Sequence, residues 1–259
     1  MIRNLLIITG VGLLLAVVGI GGALALGGRD LARHDWVWVL TDDGDRDSVR
    51  IERGGRVPPD VTRTLAWDGG ERLLLDLPAE VTFIQGADAG VTITGPAGVV
   101  ETVRLNDGRL VMDEDDDRAE HAYVRWGRGG FRAWSDTDRV KVTVTAPSVT
   151  AFEIIGSSDV SIRDYNHPTL ALTVSGSGDV EVEGQTRSLA VEITGSGDID
   201  ADRLAVTDAA IDITGSGDVR VGPTGEVKVD LSGSGDVDLT RRPGRLAQQV
   251  SGTGDVEEY

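Results

Sequence analysis

The sequence predicts an all-β fold, a right-handed parallel β-helix (solenoid) of about 19–20 residues per coil, preceded by one N-terminal transmembrane helix. Three observations predict it. The pentapeptide Ser/Thr-Gly-Ser/Thr-Gly-Asp recurs at 175–179, 194–198, 214–218, 232–236 and 251–255, with a degenerate copy, Ile155-Gly156-Ser157-Ser158-Asp159, ahead of them. Its first glycines stand at 156, 176, 195, 215, 233 and 252, at intervals of 20, 19, 20, 18 and 19 residues. A fixed period of this size marks a supersecondary unit stacked on copies of itself. The residues flanking each copy alternate apolar and polar, as strands with one buried face must. Leu5 to Leu26, finally, is a run of 22 residues without a charge, long enough to cross a bilayer core as a helix.

In chain order, residues 1–28 read as a transmembrane anchor. The competing reading is a signal peptide, because Ala23-Leu24-Ala25 resembles a small-x-small cleavage site. Either reading exports the rest of the chain. Residues 29–64 form a juxtamembrane segment with the apolar stretch Trp36-Val37-Trp38-Val39-Leu40 and an acidic tract from Asp42 to Asp47. That tract fails as an EF-hand: Asp43, Asp45 and Asp47 fit, but Ser48 replaces the loop glycine and Gly54 the bidentate glutamate. It reads as a solvated loop. From Leu65 short apolar runs separated by Gly, Pro and Asp turns mark strands, around Leu73-Leu74-Leu75, Val81, Phe83, Val91, Ile93, Val103, Leu110 and Val140 to Val144. They read as early, less regular coils of a domain spanning 65–259. Residues 113–138 are too long for an ordinary connection and form an insertion. Its aromatic and arginine residues Trp126, Arg128, Phe131 and Trp134 are candidate partner-binding residues for an acidic or sugar ligand, and a hairpin covering the solenoid's flank is the alternative.

The regular coils occupy 151–259. Two residues before each first glycine stand Ile154, Val174, Ile193, Ile213, Leu231 and Val250; four before stand Phe152, Leu172, Val191, Ile211, Val229 and Gln248. One residue after each aspartate come Val160, Val180, Ile199, Val219, Val237 and Val256; three after come Ile162, Val182, Ala201, Val221, Leu239 and Glu258. Stacked at about 4.7–4.9 Å, these positions pile into apolar columns. Gln248 and Glu258 break the pattern in the last coil, as a terminal repeat beside an open β-edge should.

The formal charge is −18, and 151–259 alone holds 8 basic and 20 acidic residues. Such a surface repels a phosphate backbone, so nucleic acid is not an expected partner. Zero cysteines exclude disulfides, thiol catalysis and a lipidated N-terminal cysteine. His34, His121 and His167 are scattered without metal-ligand spacing, and no nucleophile elbow, phosphate loop or dinucleotide fingerprint occurs. No catalytic residue and no resident cofactor are expected.

Stacked corners align Asp159, Asp179, Asp198, Asp218, Asp236 and Asp255, whose charges repel by about 1 kcal/mol per neighbouring pair in water. The expected resolution is local: each carboxylate accepts from corner N–H groups as an Asx-turn, beside a hydroxyl ladder of Ser177, Ser196, Ser216 and Ser234. The alternative is Ca²⁺ held by Asp179, Asp198, Asp218 and Asp236, although the spacing differs from the nine-residue calcium β-roll.

The repeated corners, the stretch VKVTVTAPSVTAFEIIGSSDV and the upstream EVTFIQGADAGVTITG together resemble the putative auto-transporter adhesin, head GIN domain family, from about Leu65 to Val256. The resemblance implies an exported bacterial envelope protein whose family has no settled activity. The chain departs from lipid-anchored members in lacking a lipobox cysteine, so anchoring falls to the N-terminal helix, and the 113–138 insertion is longer than the resemblance leads one to expect. With that helix as anchor, the expected product is a single-pass inner-membrane protein with its C-terminal domain in the periplasm or at the cell exterior. There it would be a non-enzymatic adhesin-like binding or scaffold module with an envelope protein or glycan as partner. The alternative is a carbohydrate-active β-helix, a polysaccharide lyase or hydrolase using carboxylates on adjacent coils.

Overall fold

A computed structural model of the chain describes residues 36–42, 49–53, 59–113, 120–127, 130–135 and 139–258. The predicted anchor at 1–28 and all of the acidic tract but Asp42 lie outside them; among the described residues no helix is long and apolar enough to cross a membrane. In chain order the elements are β1 (Trp36–Asp42), β2 (Val49–Arg53), β3 (Asp60–Leu65), β4 (Arg72–Asp76), β5 (Glu80–Gln85) and β6 (Gly90–Pro96). One helical turn, α1 (Ala97–Val100), precedes β7 (Val103–Asn106), β8 (Arg109–Met112), β9 (Glu120–Gly127), β10 (Gly130–Ser135) and β11 (Lys141–Ala146). The regular part comes next as β12 (Ala151–Gly156), β13 (Asp159–Asn166), β14 (Thr169–Gly176), β15 (Val180–Gly195) and β16 (Ile199–Gly215). It ends with β17 (Val219–Pro223), β18 (Glu226–Gly233), β19 (Val237–Leu239), β20 (Arg245–Gly252) and β21 (Val256–Glu258).

These strands divide between two units. In the smaller, β10, β9, β1 and β2 form a four-stranded antiparallel sheet in that order. The hairpin β9–β10 from the predicted insertion therefore pairs with β1 from the predicted juxtamembrane segment, Trp126 standing opposite Trp36 on one side and Phe131 on the other. Two segments some eighty residues apart make one sheet because each supplies strands with an unsatisfied edge.

The larger unit is an all-β, solenoid-like stack of about five turns. Parallel ladders tie coil to coil: Ile154 pairs with Val174, Val174 with Ile193, Ile193 with Ile213, Ile213 with Leu231 and Leu231 with Val250. After the corner, Val160 pairs with Val180, then Ile199, Val219, Val237 and Val256 in turn. All these positions before the last coil are buried, so the columns are the core. Each Val, Leu or Ile side chain so buried contributes about 1.5–3 kcal/mol, which offsets the entropy of ordering its coil. At the far bend from the corner the ladder shifts register between Glu181 and Gly184. Burial also raises the pKa of Tyr165 at this bend well above the usual phenol range; its hydroxyl donates to Thr169 O at 2.6 Å.

The strands upstream are not a simple run of further coils. β4 and β5 do form one, parallel to β12 and β13, with Leu73 under Phe152 and Val81 under Val160. Next to it the ladders turn antiparallel: β6 against β11 and β3, and β7 against β8. Antiparallel pairing closes this end because a short hairpin can reverse the chain where a coil would need a full circuit. Phe83, Phe152 and Tyr165 fill the core here, with the first two rings edge to face at 4.9 Å.

Candidate functional site

The corners are the most repeated chemistry in the molecule, and sterics dictate their glycines. At Gly215 φ is +139°, and a Cβ there would overlap the carbonyl oxygen of Gly195 in the coil before. The second glycine is confined in the same way, since a Cβ on Gly217 would overlap Gly197 O. Backbone therefore stacks on backbone, with Ser216 N donating to Gly195 O at 2.8 Å and Ile199 N to Asp218 O at 2.8 Å. The degenerate first copy obeys the same rule. Above Gly156 a Cβ would meet nothing within 4 Å, because the preceding turn is Asp76-Leu77-Pro78-Ala79 and not another glycine corner. Ser158 can then replace the second glycine; it is fully buried and its hydroxyl donates to Leu77 O.

The aspartates are bonded between coils. Asp198 N donates to Asp179 Oδ1 at 3.1 Å, Asp218 N to Asp198 Oδ1 at 2.9 Å, Asp236 N to Asp218 Oδ1 at 2.8 Å and Asp255 N to Asp236 Oδ1 at 2.9 Å. The carboxylate thus does accept a corner N–H, but that of the next coil and not its own, which corrects the expected Asx-turn. A residue stacked about 4.8 Å away offers its N–H along the ladder direction, where the side chain of the rung before can reach it. The hydroxyl ladder reduces, among the described residues, to one pair, Thr253 Oγ1 to Ser234 Oγ at 3.0 Å.

Beside the corners a shallow depression of about 270 Å³ opens among Glu80, Asp159, Asp179, Glu181, Asp198 and Asp200. Lys141 pairs with Glu80 at 2.6 Å and Arg203 pairs with Glu181, leaving the rest of this rim anionic. A second depression, of about 410 Å³, lies on the strand face before the corner. Its floor is Ala171, Ala190 and Ala210, in register across three coils and continued by Lys228 in the fourth, and Glu192, Asp212 and Asp230 stand along one side. The alanine floor was readable in the sequence only once the register was fixed, since alanine also occurs in turns. Among the described residues, no group of three or more His, Asp or Glu side chains is placed to hold a metal ion.

Of the other candidates, Trp126 lies on β9 and Phe131 and Trp134 on β10, Trp134 opposite Tyr123, while Arg128 lies outside the described residues. The three aromatic residues belong to the smaller unit, and the corner column to the larger. His167, in the turn after β13, has Nε2 2.9 Å from Pro147 O.

Residues 72–243 match the family described as putative auto-transporter adhesin, head GIN domain. The chain belongs to that family. The match covers the coil of β4 and β5 and every corner but the last, and its range also takes in β9 and β10 of the smaller unit. A crystal structure of a putative adhesin from Bacteroides fragilis is similar to the chain with a TM-score of 0.59 and 19% identity, covering 79% of this chain and 100% of that one. A putative adhesin from Parabacteroides merdae (TM-score 0.46, 19% identity, 78% and 96% covered) is also similar. So is a putative lipid binding protein from Parabacteroides distasonis (0.46, 14%, 78% and 97%). At these identities the likeness is one of fold. No curated protein matches the chain.

Proposed function

We propose that this head GIN protein is a non-enzymatic, adhesin-like binding or scaffold module of the bacterial cell envelope. In this reading the N-terminal apolar run anchors a right-handed solenoid in the inner membrane and exports it to the periplasm or cell exterior. The family and the similar Bacteroides fragilis structure both carry an adhesin description, which supports the reading. The observation that carries it is the sameness of the rungs. From Asp179 to Asp236 each corner aspartate bonds the next coil's N–H in the same way, so no rung is singled out as a reacting centre. An active site in a repeat array is a break in the repeat; a binding face is its continuation.

Such a face is shallow, distributed and mostly anionic, with Lys228 its one cation. The depression over Ala171, Ala190 and Ala210, bordered by Glu192, Asp212 and Asp230, suits a partner that lies along the coils, an envelope protein or a glycan chain. Calcium held by Asp179, Asp198, Asp218 and Asp236 is the alternative to this scaffold reading of the corners, since each carboxylate has acceptor capacity beyond one N–H.

The test incubates the full chain, solubilised in mild detergent, with purified envelope polysaccharide and with envelope protein. Binding and low-molecular-mass products are both recorded. On this reading Glu192→Gln, Asp212→Asn or Asp230→Asn alone weakens binding by no more than about threefold, as exposed charges do, and the triple change weakens it far more. Product formation that a single carboxylate substitution abolishes would overturn it in favour of a carbohydrate-active enzyme.

A further inference from the structure

Among the described residues the last coil has no strand on its outer side: β20 pairs only with β18, and β21 only with β19. Arg245 N donates to Gly225 O, and Arg245 stands opposite Glu226. A parallel ladder engages every second residue, so Arg245, Ala247, Gln249 and Ser251 face β18 with their backbone groups. Leu246, Gln248 and Val250 turn N–H and C=O toward the open side. An eight-residue edge of this kind is a template for another strand. It holds no lysine and no proline, the commonest blocks to such pairing, and its one charge is on Arg245 at its start. Val250 is 40% exposed, and the one other exposed large apolar side chain among the described residues is Val61 on β3.

The charges along this edge are arranged end to end. Arg241 and Arg242 precede β20, both exposed; Asp255, Glu257 and Glu258 come after it, also exposed. The middle, Ala247-Gln248-Gln249, is neutral. In the same strand direction two such edges would set like charges together. In opposite directions they set the arginines of one beside the carboxylates of the other.

We propose that β20 docks a second copy of this chain, antiparallel and two-fold symmetric, with Gln248 on the axis. The alternation of open backbone groups fixes this register. Leu246 faces Val250 of the second copy, and the two Gln248 residues exchange both backbone bonds, giving about six new N–H···O bonds in all. The side chains that point into the coil then meet their counterparts: Val250 gains an apolar neighbour in Leu246, and the two Gln248 amides, out of place under an aliphatic column, can pair with each other. Arg241 and Arg242 fall beside Asp255 of the other copy. β21 is short and ends in Glu257 and Glu258, so the contact is built on β20 alone.

Sedimentation of the full chain in mild detergent tests this, with a single thiol introduced as Gln248→Cys into a chain that has no cysteine. Paired residues of this kind lie about 5.5 Å apart at Cα, within disulfide reach. The expected result is a dimer that Gln248→Cys locks under mild oxidation and that Ser188→Cys, exposed on the flank of a coil, does not. Gln248→Pro costs no bond within the chain and should weaken the dimer at least about tenfold. Should that variant misfold, the double change Arg241→Glu and Arg242→Glu lies outside the strand and should also weaken it. A monomer at high micromolar concentration would overturn the proposal, as would a dimer that Gln248→Cys fails to lock or that survives both other variants through a different surface.

Discussion

At the scale of single residues, the glycine corners make the sharpest claims. Gly215→Ala drives a Cβ into Gly195 O and strains φ at +139°, whereas Gly156→Ala, at φ +88°, meets nothing within 4 Å. Both pay for an unfavourable backbone, about 1–2 kcal/mol; the first also forces two coils apart. Urea unfolding should therefore find Gly215→Ala the more destabilising by at least about 1 kcal/mol; equal losses would mean that inter-coil contact is looser than described. Tyr165 gives a pH signature. Its folded-state pKa is raised by burial, so its contribution is fully present below the unfolded value, about 10, and is lost as pH climbs from there toward the folded one. Above that pH the stability of the native chain should fall by up to about 1.4 kcal/mol per pH unit more steeply than that of Tyr165→Phe. Parallel pH curves for the two would show that the phenol ionises in place.

At the scale of elements, the columns behave as a core and the ends do not. Ile193→Ala empties a site that is 1% exposed between two coils and should cost about 2–5 kcal/mol, while Val250→Ala on the open edge should change monomer stability by less than about 0.5 kcal/mol, read from denaturant midpoints. Much of this level was legible in advance. A repeat of near-constant period with apolar residues two positions before each first glycine, and four before all but the last, leaves one register, and the observed ladders keep it from Ile154 to Val250. The antiparallel closure by β3, β6, β7 and β8 was not legible, because a strand's own alternation is the same for parallel and antiparallel neighbours. Nor was the pairing of Trp126 with Trp36, a contact between distant segments that no local pattern encodes. At the corners the sequence named the aspartates correctly and misassigned their donors. An Asx-turn and a rung-to-rung bond need the same residue, and only the stacking decides between them.

At the scale of the whole molecule, the charge is the feature to test. The acidic rows repeat about every 4.8 Å, inside the Debye length of about 8 Å at physiological salt, so repulsion between rungs opposes stacking and added salt relieves it. Raising sodium chloride from low to physiological concentration should lift the melting temperature, by about 2–4 °C for each kcal/mol of repulsion screened; a fall would mean that ion pairs such as Arg72–Glu153, at 2.9 Å, outweigh the rows. The corner column is scaffold, with its carboxylates bonded to backbone N–H groups of the next coil. Melting of the full chain in calcium and in chelator, beside Asp198→Asn, tests that most directly. Asparagine keeps the oxygen that accepts from Asp218 N and removes one charge. An equal or slightly higher melting temperature is therefore expected for the variant, with the same small salt-like response to calcium in both. A large calcium-dependent rise in the native chain that Asp198→Asn abolishes would contradict the claim and make the column a metal site.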